Sequence, residues 1–171
     1  MGKFYKKTLL DAPLEAVWAY HDDIERGLTE LSPPGDDVQV TKADKPAVGA
    51  EVTIRVRTPV GRQKWVAKYT EYRPPHGEVP QRRAWFVDEQ IEGPFKKWIH
   101  RHRFEETVDE GRTKVWAIDD VRYTPPLGPL GWVADRLLLR RKLAKAFDYR
   151  HKKLREVLSR RPKRSSGASG M

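Results

Sequence analysis

The residues best suited to chemistry lie in one short stretch. Between Phe95 and Phe104, the side chains Trp98, His100, His102 and Phe104 share one parity, and Lys97, Ile99, Arg101 and Arg103 share the other. Alternation with a period of two marks a β-strand with one face turned inward. Two imidazoles between large aromatics are costly to bury unless their ring nitrogens find partners, so the pattern predicts a lined cavity rather than a solid core. The polar residues expected to meet them are Asp119, Asp88 and Gln90. A histidine facing a carboxylate in a low dielectric holds its proton more tightly; it can serve as a general acid or base, or anchor a carboxylate or phenol group of a ligand. The plainer alternative is a satisfied network that fixes strand register.

Histidines two apart on a strand project to one side, where a third ligand such as Asp119 would complete a facial metal site. The other histidines, His21, His76 and His151, fall on predicted helix or loop, with none obviously nearby. Neither a metal nor any other cofactor is therefore expected. The chain has no cysteine, which excludes a disulfide framework, thiol catalysis and thiolate metal sites. No Ser-His-Asp order, glycine-rich phosphate loop or pair of catalytic carboxylates can be made out.

The elements around these residues set their geometry. In the strand predicted from Thr113 to Tyr123, Val115, Ala117, Asp119, Val121 and Tyr123 share a parity and form the better candidate for burial. A two-residue turn around Asp109-Glu110-Gly111 sets His102 opposite Asp119, a four-residue turn sets His100 there, and a three-residue turn brings Asp120 to the histidine face. Burial favours the first two. The preceding strand, Arg83 to Ile91, is apolar on both parities, so its inward face cannot be assigned from the pattern.

Earlier, Lys3 to Leu10 reads as a strand, and Asp11-Ala12-Pro13 as a helix start with a capping carboxylate. Helices are predicted from Pro13 to about Asp22 and from Ile24 to Leu31. Strands follow at Val38 and Val40, at Val52, Ile54 and Val56 with arginines outside, and from Lys64 to Arg73 after a turn at Pro59-Val60-Gly61. Pro74-Pro75-His76-Gly77 is expected to break the pairing and form a loop. Pro125-Pro126 and Gly128-Pro129 end the sheet. A long helix from about Leu130 to Arg160 then carries a stripe of Leu139, Leu143, Ala146, Phe147, Leu154, Val157 and Leu158 at helical steps. Trp132, Val133, Leu137 and Leu138 drift off that stripe, which predicts a bend or a two-sided first segment.

At 171 residues and 38% hydrophobic content the chain suits one domain, assigned to residues 1–160, with a disordered, basic, Ser/Gly-rich tail over 161–171. With no long apolar stretch and no signal region at its N-terminus, it is expected to be soluble and cytoplasmic. The net charge of +10 is local: 13 of the 34 Lys and Arg lie between Arg136 and Arg164, against Asp148 and Glu156, and the rest of the chain is close to neutral. Such a helix could draw nucleic acid or an anionic membrane. It carries no interleaved exposed aromatics of the kind single-stranded nucleic acid would stack on, which makes nucleic acid the less favoured partner and leaves transient membrane contact open.

One strand, two small helices, six antiparallel strands and a long terminal helix make an α+β layout in which a curved seven-stranded sheet wraps the last helix. The run Asp88-x-Gln90-x-x-Gly93-Pro94-Phe95-x-x-Trp98-x-His100-x-His102-x-Phe104, with Asp119-x-Val121-x-Tyr123 and Pro126-Leu127-Gly128 after it, resembles the cyclase-like bacterial branch of the START and polyketide-cyclase (SRPBCC) superfamily. The resemblance spans Lys3 to about Arg160. It implies the helix-grip fold and a cavity between sheet and helix that holds a small hydrophobic molecule; a minority of such proteins catalyse cyclisation, dehydration or hydrolysis. On that reading the wall is formed by Trp65, Tyr69 and Phe86 with Asp88 and Gln90; by Trp98, His100, His102 and Phe104; by Asp119, Val121 and Tyr123; and by Leu143 and Phe147 of the helix. The leading function is binding, transport or sequestration of a hydrophobic ligand by a monomer or homodimer. The rival is a cofactor-free cyclase or dehydratase using His100 and His102 with Asp119.

Overall fold

A computed structural model describes residues 1–58, 61–126 and 138–158. The elements follow in the order β1 (Gly2–Leu10), α1 (Leu14–Asp22), α2 (Ile24–Leu31), a single 3-10 turn (Pro34–Asp36), β2 (Gln39–Ala43), β3 (Glu51–Thr58), β4 (Gly61–His76), β5 (Arg83–Glu92), β6 (Lys97–Asp109), β7 (Arg112–Thr124) and α3 (Arg140–Leu158). The seven strands form one curved antiparallel sheet in the order β1-β7-β6-β5-β4-β3-β2. Strands β2 to β7 are a meander, and β1 returns to pair with β7. The two helices between β1 and β2 therefore link opposite edges of the sheet, and α3 packs against β1 and α2. This is the helix-grip architecture.

Two predicted boundaries differ from the structure. Asp11 does not cap α1: the helix starts at Leu14 after Pro13 with no side-chain cap, while Asp11 accepts a hydrogen bond from Arg112 at 3.3 Å. The side-chain cap belongs to α2, where Asp23 accepts from the Arg26 backbone N–H. Pro74 and Pro75 do not end β4 either. The strand runs on to His76, and the register shifts between Arg73 and His76. A bulged segment leaves a residue out of the ladder, so missing N–H donors do no harm there. The start of the last helix before Leu138, the turn at Pro59-Val60 and the tail lie outside the described residues, as do Trp132, Val133 and Leu137.

Burial divides the interior in two. One apolar cluster packs α1 and α2 on the sheet, through Leu14, Val17, Trp18 and Ile24 against Phe86 and Phe104. The other brings Leu143 and Phe147 of α3 onto Trp98, Val121 and Tyr123. Each fully buried side chain of this size contributes roughly 1.5–3 kcal/mol relative to exposure. Between the two clusters the sheet presents polar groups.

Candidate functional site

The β6–β7 hairpin sets the geometry. Its turn is the two residues Glu110 and Gly111, with φ of +50° and +71°, the pair of left-handed conformations that matches the twist of antiparallel strands. Asp109 therefore pairs with Arg112, and His102 faces Asp119. On the other side β5 sets Asp88 opposite His100 and Phe86 opposite His102. Cross-strand partners share a face, so two carboxylates and two imidazoles converge on the concave side of the sheet.

Asp119 is the hub. Its Oδ1 lies 2.8 Å from His100 Nε2 and 2.9 Å from His102 Nδ1, and its Oδ2 accepts from His151 Nε2 at 2.7 Å. The guanidinium of Arg150 stands beside the same Oδ2, with Nε at 3.6 Å. Asp88 lies across the imidazoles, its Oδ2 3.2 Å from His102 Nε2 and 3.8 Å from His100 Nδ1. The two rings sit 3.7 Å apart at their centres, and Phe86 stacks on His102 at 4.2 Å.

These surroundings set the charges. Burial alone would raise the carboxyl of Asp119, but the Arg150 charge and hydrogen bonds from three imidazoles hold it well below the usual carboxylate range. Asp88 is likewise lowered: burial opposes ionisation, and the bond from His102 with the charges of His100 and His102 overcomes it. The two neighbouring histidines diverge. Burial and the charge of His102 lower the pKa of His100, whereas for His102 burial is outweighed by its bonds to Asp119 and Asp88, and its pKa rises. Both nitrogens of His102 meet carboxylate oxygens, an arrangement that suits the doubly protonated ring. Arg150 Nη2 also lies 3.4 Å from His102 Nδ1; with a proton on that nitrogen the contact is not a hydrogen bond, and the shorter approach to Asp119 governs.

A cavity of about 270 Å³ opens beside this cluster. Its wall takes side chains from α2, β3, β4, β5, β6 and α3, most of them apolar, and His21 from α1. Of the residues expected there, Trp65, Tyr69, Phe86, Asp88, Trp98, His100, His102, Leu143 and Phe147 line it. The others do not. Gln90 instead clamps the β5–β6 turn, donating to the Phe95 carbonyl at 2.7 Å and accepting from its N–H at 3.3 Å. Phe104 is packed against α1, Val121 and Tyr123 lie in the cluster under α3, and Asp119 stands behind the imidazoles.

The placement of the other histidines corrects the expectation that none was near. His151 occupies the gap in the α3 stripe between Phe147 and Leu154 and is 1% exposed. Its position at helical steps from both was the signal that could have found it. Arg150, next to it, enters both the cluster and the cavity wall. His21, four residues after the buried Val17, is also buried, with its ring centre 6.3 Å from that of His102. Only His76 is exposed, at the end of β4. The third group facing both histidines across the cavity side is Asp88 rather than Asp119.

Comparison with known proteins fits this fold. The family model described as polyketide cyclase / dehydrase and lipid transport matches residues 10–147. The chain belongs to this family. Solved structures similar to this family member include a Thermus thermophilus protein, TTHA0849, at 15% identity over 92% of this chain and 97% of that one, with a TM-score of 0.61. The Zhui aromatase/cyclase from Streptomyces sp. R1128 is 16% identical over 97% and 98% of the two chains, with a TM-score of 0.60. A START superfamily protein from Mycobacterium smegmatis is 13% identical over 92% and 97%, with a TM-score of 0.56. At these identities the likeness is one of fold. No curated protein matches the chain. Among the described residues no helix is long and apolar enough to cross a membrane.

Proposed function

We propose that this protein binds a small hydrophobic molecule in the cavity between sheet and α3, with the ligand's polar end against His100, His102, Asp88 and Arg150. The observation that carries this reading is the joining of a mostly apolar wall to one enclosed cluster of carboxylates, imidazoles and a guanidinium. Apolar surface supplies affinity, and a few convergent polar groups fix orientation. Arg150 offers donors and Asp88 offers acceptors, so a phenol or hydroxyl fits better than a bare hydrocarbon. The test is native mass spectrometry after incubation with 2-naphthol and with decalin, a hydrocarbon of similar size. The expected result is a one-to-one adduct with the phenol that Ala146→Phe, which fills the cavity, reduces at least tenfold. No adduct from the folded protein with either compound would refute the reading.

A second reading is favoured by one observation. His100 and His102 lie side by side with pKa values displaced in opposite directions, the pattern of an adjacent general base and general acid. Such a pair could drive a cyclisation or dehydration, removing a proton at one carbon and protonating a departing hydroxyl. This reading expects His102→Gln to abolish turnover of a linear poly-β-ketone mimic while 2-naphthol still binds; unchanged turnover would remove His102 from the chemistry.

A further inference from the structure

Each of the two imidazoles in the cavity wall turns one nitrogen to Asp119 and the other toward Asp88, and they use opposite atoms to do so. His100 gives Nε2 to Asp119 and leaves Nδ1 toward Asp88; His102 gives Nδ1 to Asp119 and leaves Nε2 toward Asp88. Asp88 Oδ2 meets His100 Nδ1 and His102 Nε2, and one ligand atom from each of the three residues lies within 4.8 Å of the other two. We propose that Asp88, His100 and His102 form a binding site for a divalent first-row transition ion at the polar end of the cavity. This goes against the expectation of no metal drawn from the sequence, which had taken Asp119 for the third ligand.

Two of the three separations fit with little movement. Ligand atoms about 2.1 Å from an ion, at angles between octahedral and tetrahedral, are roughly 3.0–3.4 Å apart. His102 Nε2 stands 3.2 Å from Asp88 Oδ2, within that range, and His100 Nδ1 at 3.8 Å needs a closure of a few tenths of an ångström; the two imidazole nitrogens, within 4.8 Å of each other, close by at most about 1.4 Å through rotation of the rings. Two imidazoles and one carboxylate on one side of an ion make a facial set, a borderline donor combination suited to Zn²⁺, Co²⁺ or Fe²⁺ rather than Mg²⁺ or Ca²⁺.

The surrounding shell is of the kind metal histidines need. Ligating imidazoles usually give their second nitrogen to a carboxylate, which fixes tautomer and ring direction. Here Asp119 does this for both rings, and is itself held by His151 and Arg150 from α3. The ion would replace the proton that otherwise links His102 Nε2 to Asp88. Arg150 approaches His102 on the Nδ1 side, away from the converging atoms. An ion of charge +2 and Arg150 against Asp88 and Asp119 leave one positive charge, which an anionic oxygen donor in the open coordination positions would neutralise. Phenolates, enolates of 1,3-diketones and carboxylates are of that class. The metal site stands apart from the ligand reading, since either can exist without the other.

The test uses the full chain, stripped with EDTA and returned to buffer, with metal alone as the probe. Titration with Co²⁺ followed by visible absorption, and with Zn²⁺ by calorimetry, should show one ion per chain. Asp88→Asn and His100→Gln should each weaken binding at least 100-fold, and Asp119→Asn, which acts through the ligands, about 10–100-fold. His76→Gln, at the exposed end of β4, should bind as wild type. A readout that needs no variant is paramagnetic broadening by Co²⁺ of the His100 and His102 ring signals while His76 stays sharp. No uptake at millimolar Zn²⁺ by the folded wild type would overturn the proposal. So would full affinity in folded Asp88→Asn and His100→Gln, or broadening confined to His76.

Discussion

His21 and His102 are two buried imidazoles whose ring centres lie 6.3 Å apart, yet their surroundings move their pKa values in opposite directions. His21 sits among aromatic rings, 4.5 Å from Phe104 at the centroids, and its Nδ1 donates to the Val17 carbonyl at 2.8 Å. Burial, and then the charge of Arg150, push its pKa down to about 3. His102 is just as enclosed, but β5 and β7 place a carboxylate at each of its nitrogens, and its pKa rises. Low exposure alone therefore does not decide the charge of a buried histidine; the partners that the strand register delivers do. The α1 side of the interior is mostly apolar and reaches the cavity only through His21, and the α3 side keeps a charged cluster at the cavity wall.

The largest effect should come from removing the hub of that cluster. Asp119→Ala leaves Arg150, His102 and His151 without their shared acceptor, and loss of one partner from a buried ionic group costs about 3–5 kcal/mol. Urea unfolding at neutral pH should show a loss of that size, and a change below about 1 kcal/mol would mean that the cluster is not the tight network described.

The pH dependence of stability should separate the two histidines. The folded pKa of His21 is below its ordinary 6.5, so the unfolded chain binds more protons in between and stability falls as pH drops from 6.5 toward 3. His100, also lowered, adds to this acid limb. His102 is raised; its contribution is fully present below 6.5 and is lost as pH climbs through its folded value. Thermal melts over pH 4–9 should show His21→Leu flattening the acid limb and His102→Gln the alkaline one. The reverse assignment would break the comparison.

At pH 7.5, where His21 is neutral, His21→Leu should change stability by no more than about 1 kcal/mol, since it gives up one hydrogen bond for an apolar side chain of similar size. The smallest effect belongs to the exterior. Asp148, paired with Lys6 across α3 and β1 and largely exposed, should cost about 0–1 kcal/mol when replaced by alanine.

How far the sequence led can be traced residue by residue. The alternation around His100 and His102 was legible because β6 is regular and half-buried, and the short Glu110-Gly111 turn made the pairing of His102 with Asp119 one of the registers burial favoured. Asp88 was named, but its facing could not be read, because β5 carries apolar groups on both faces and offers no contrast. The bulge between Tyr69 and Glu71 puts both Tyr69 and Tyr72 against the core, which strict alternation forbids. His151 and Arg150 were missed because a helix stripe is read by apolar residues, and they fill a buried and a half-buried position on α3 with polar groups whose partner, Asp119, lies 30 residues or more away. Gln90 was misassigned for the converse reason: its amide is consumed by a local turn.

The central claim is that a charged His100/His102 cluster forms the polar end of a ligand cavity while the His21 side stays neutral. Long-range ¹H–¹⁵N spectra of the five imidazoles, recorded at pH 7 while 2-naphthol is titrated into EDTA-treated protein, test it directly. The account predicts a larger doubly protonated fraction at His102 than at His21 before addition, then saturable shifts at His100 and His102 at one equivalent with His76 unmoved. A doubly protonated fraction at His102 no larger than at His21, or ring signals that do not move at millimolar 2-naphthol, would contradict it.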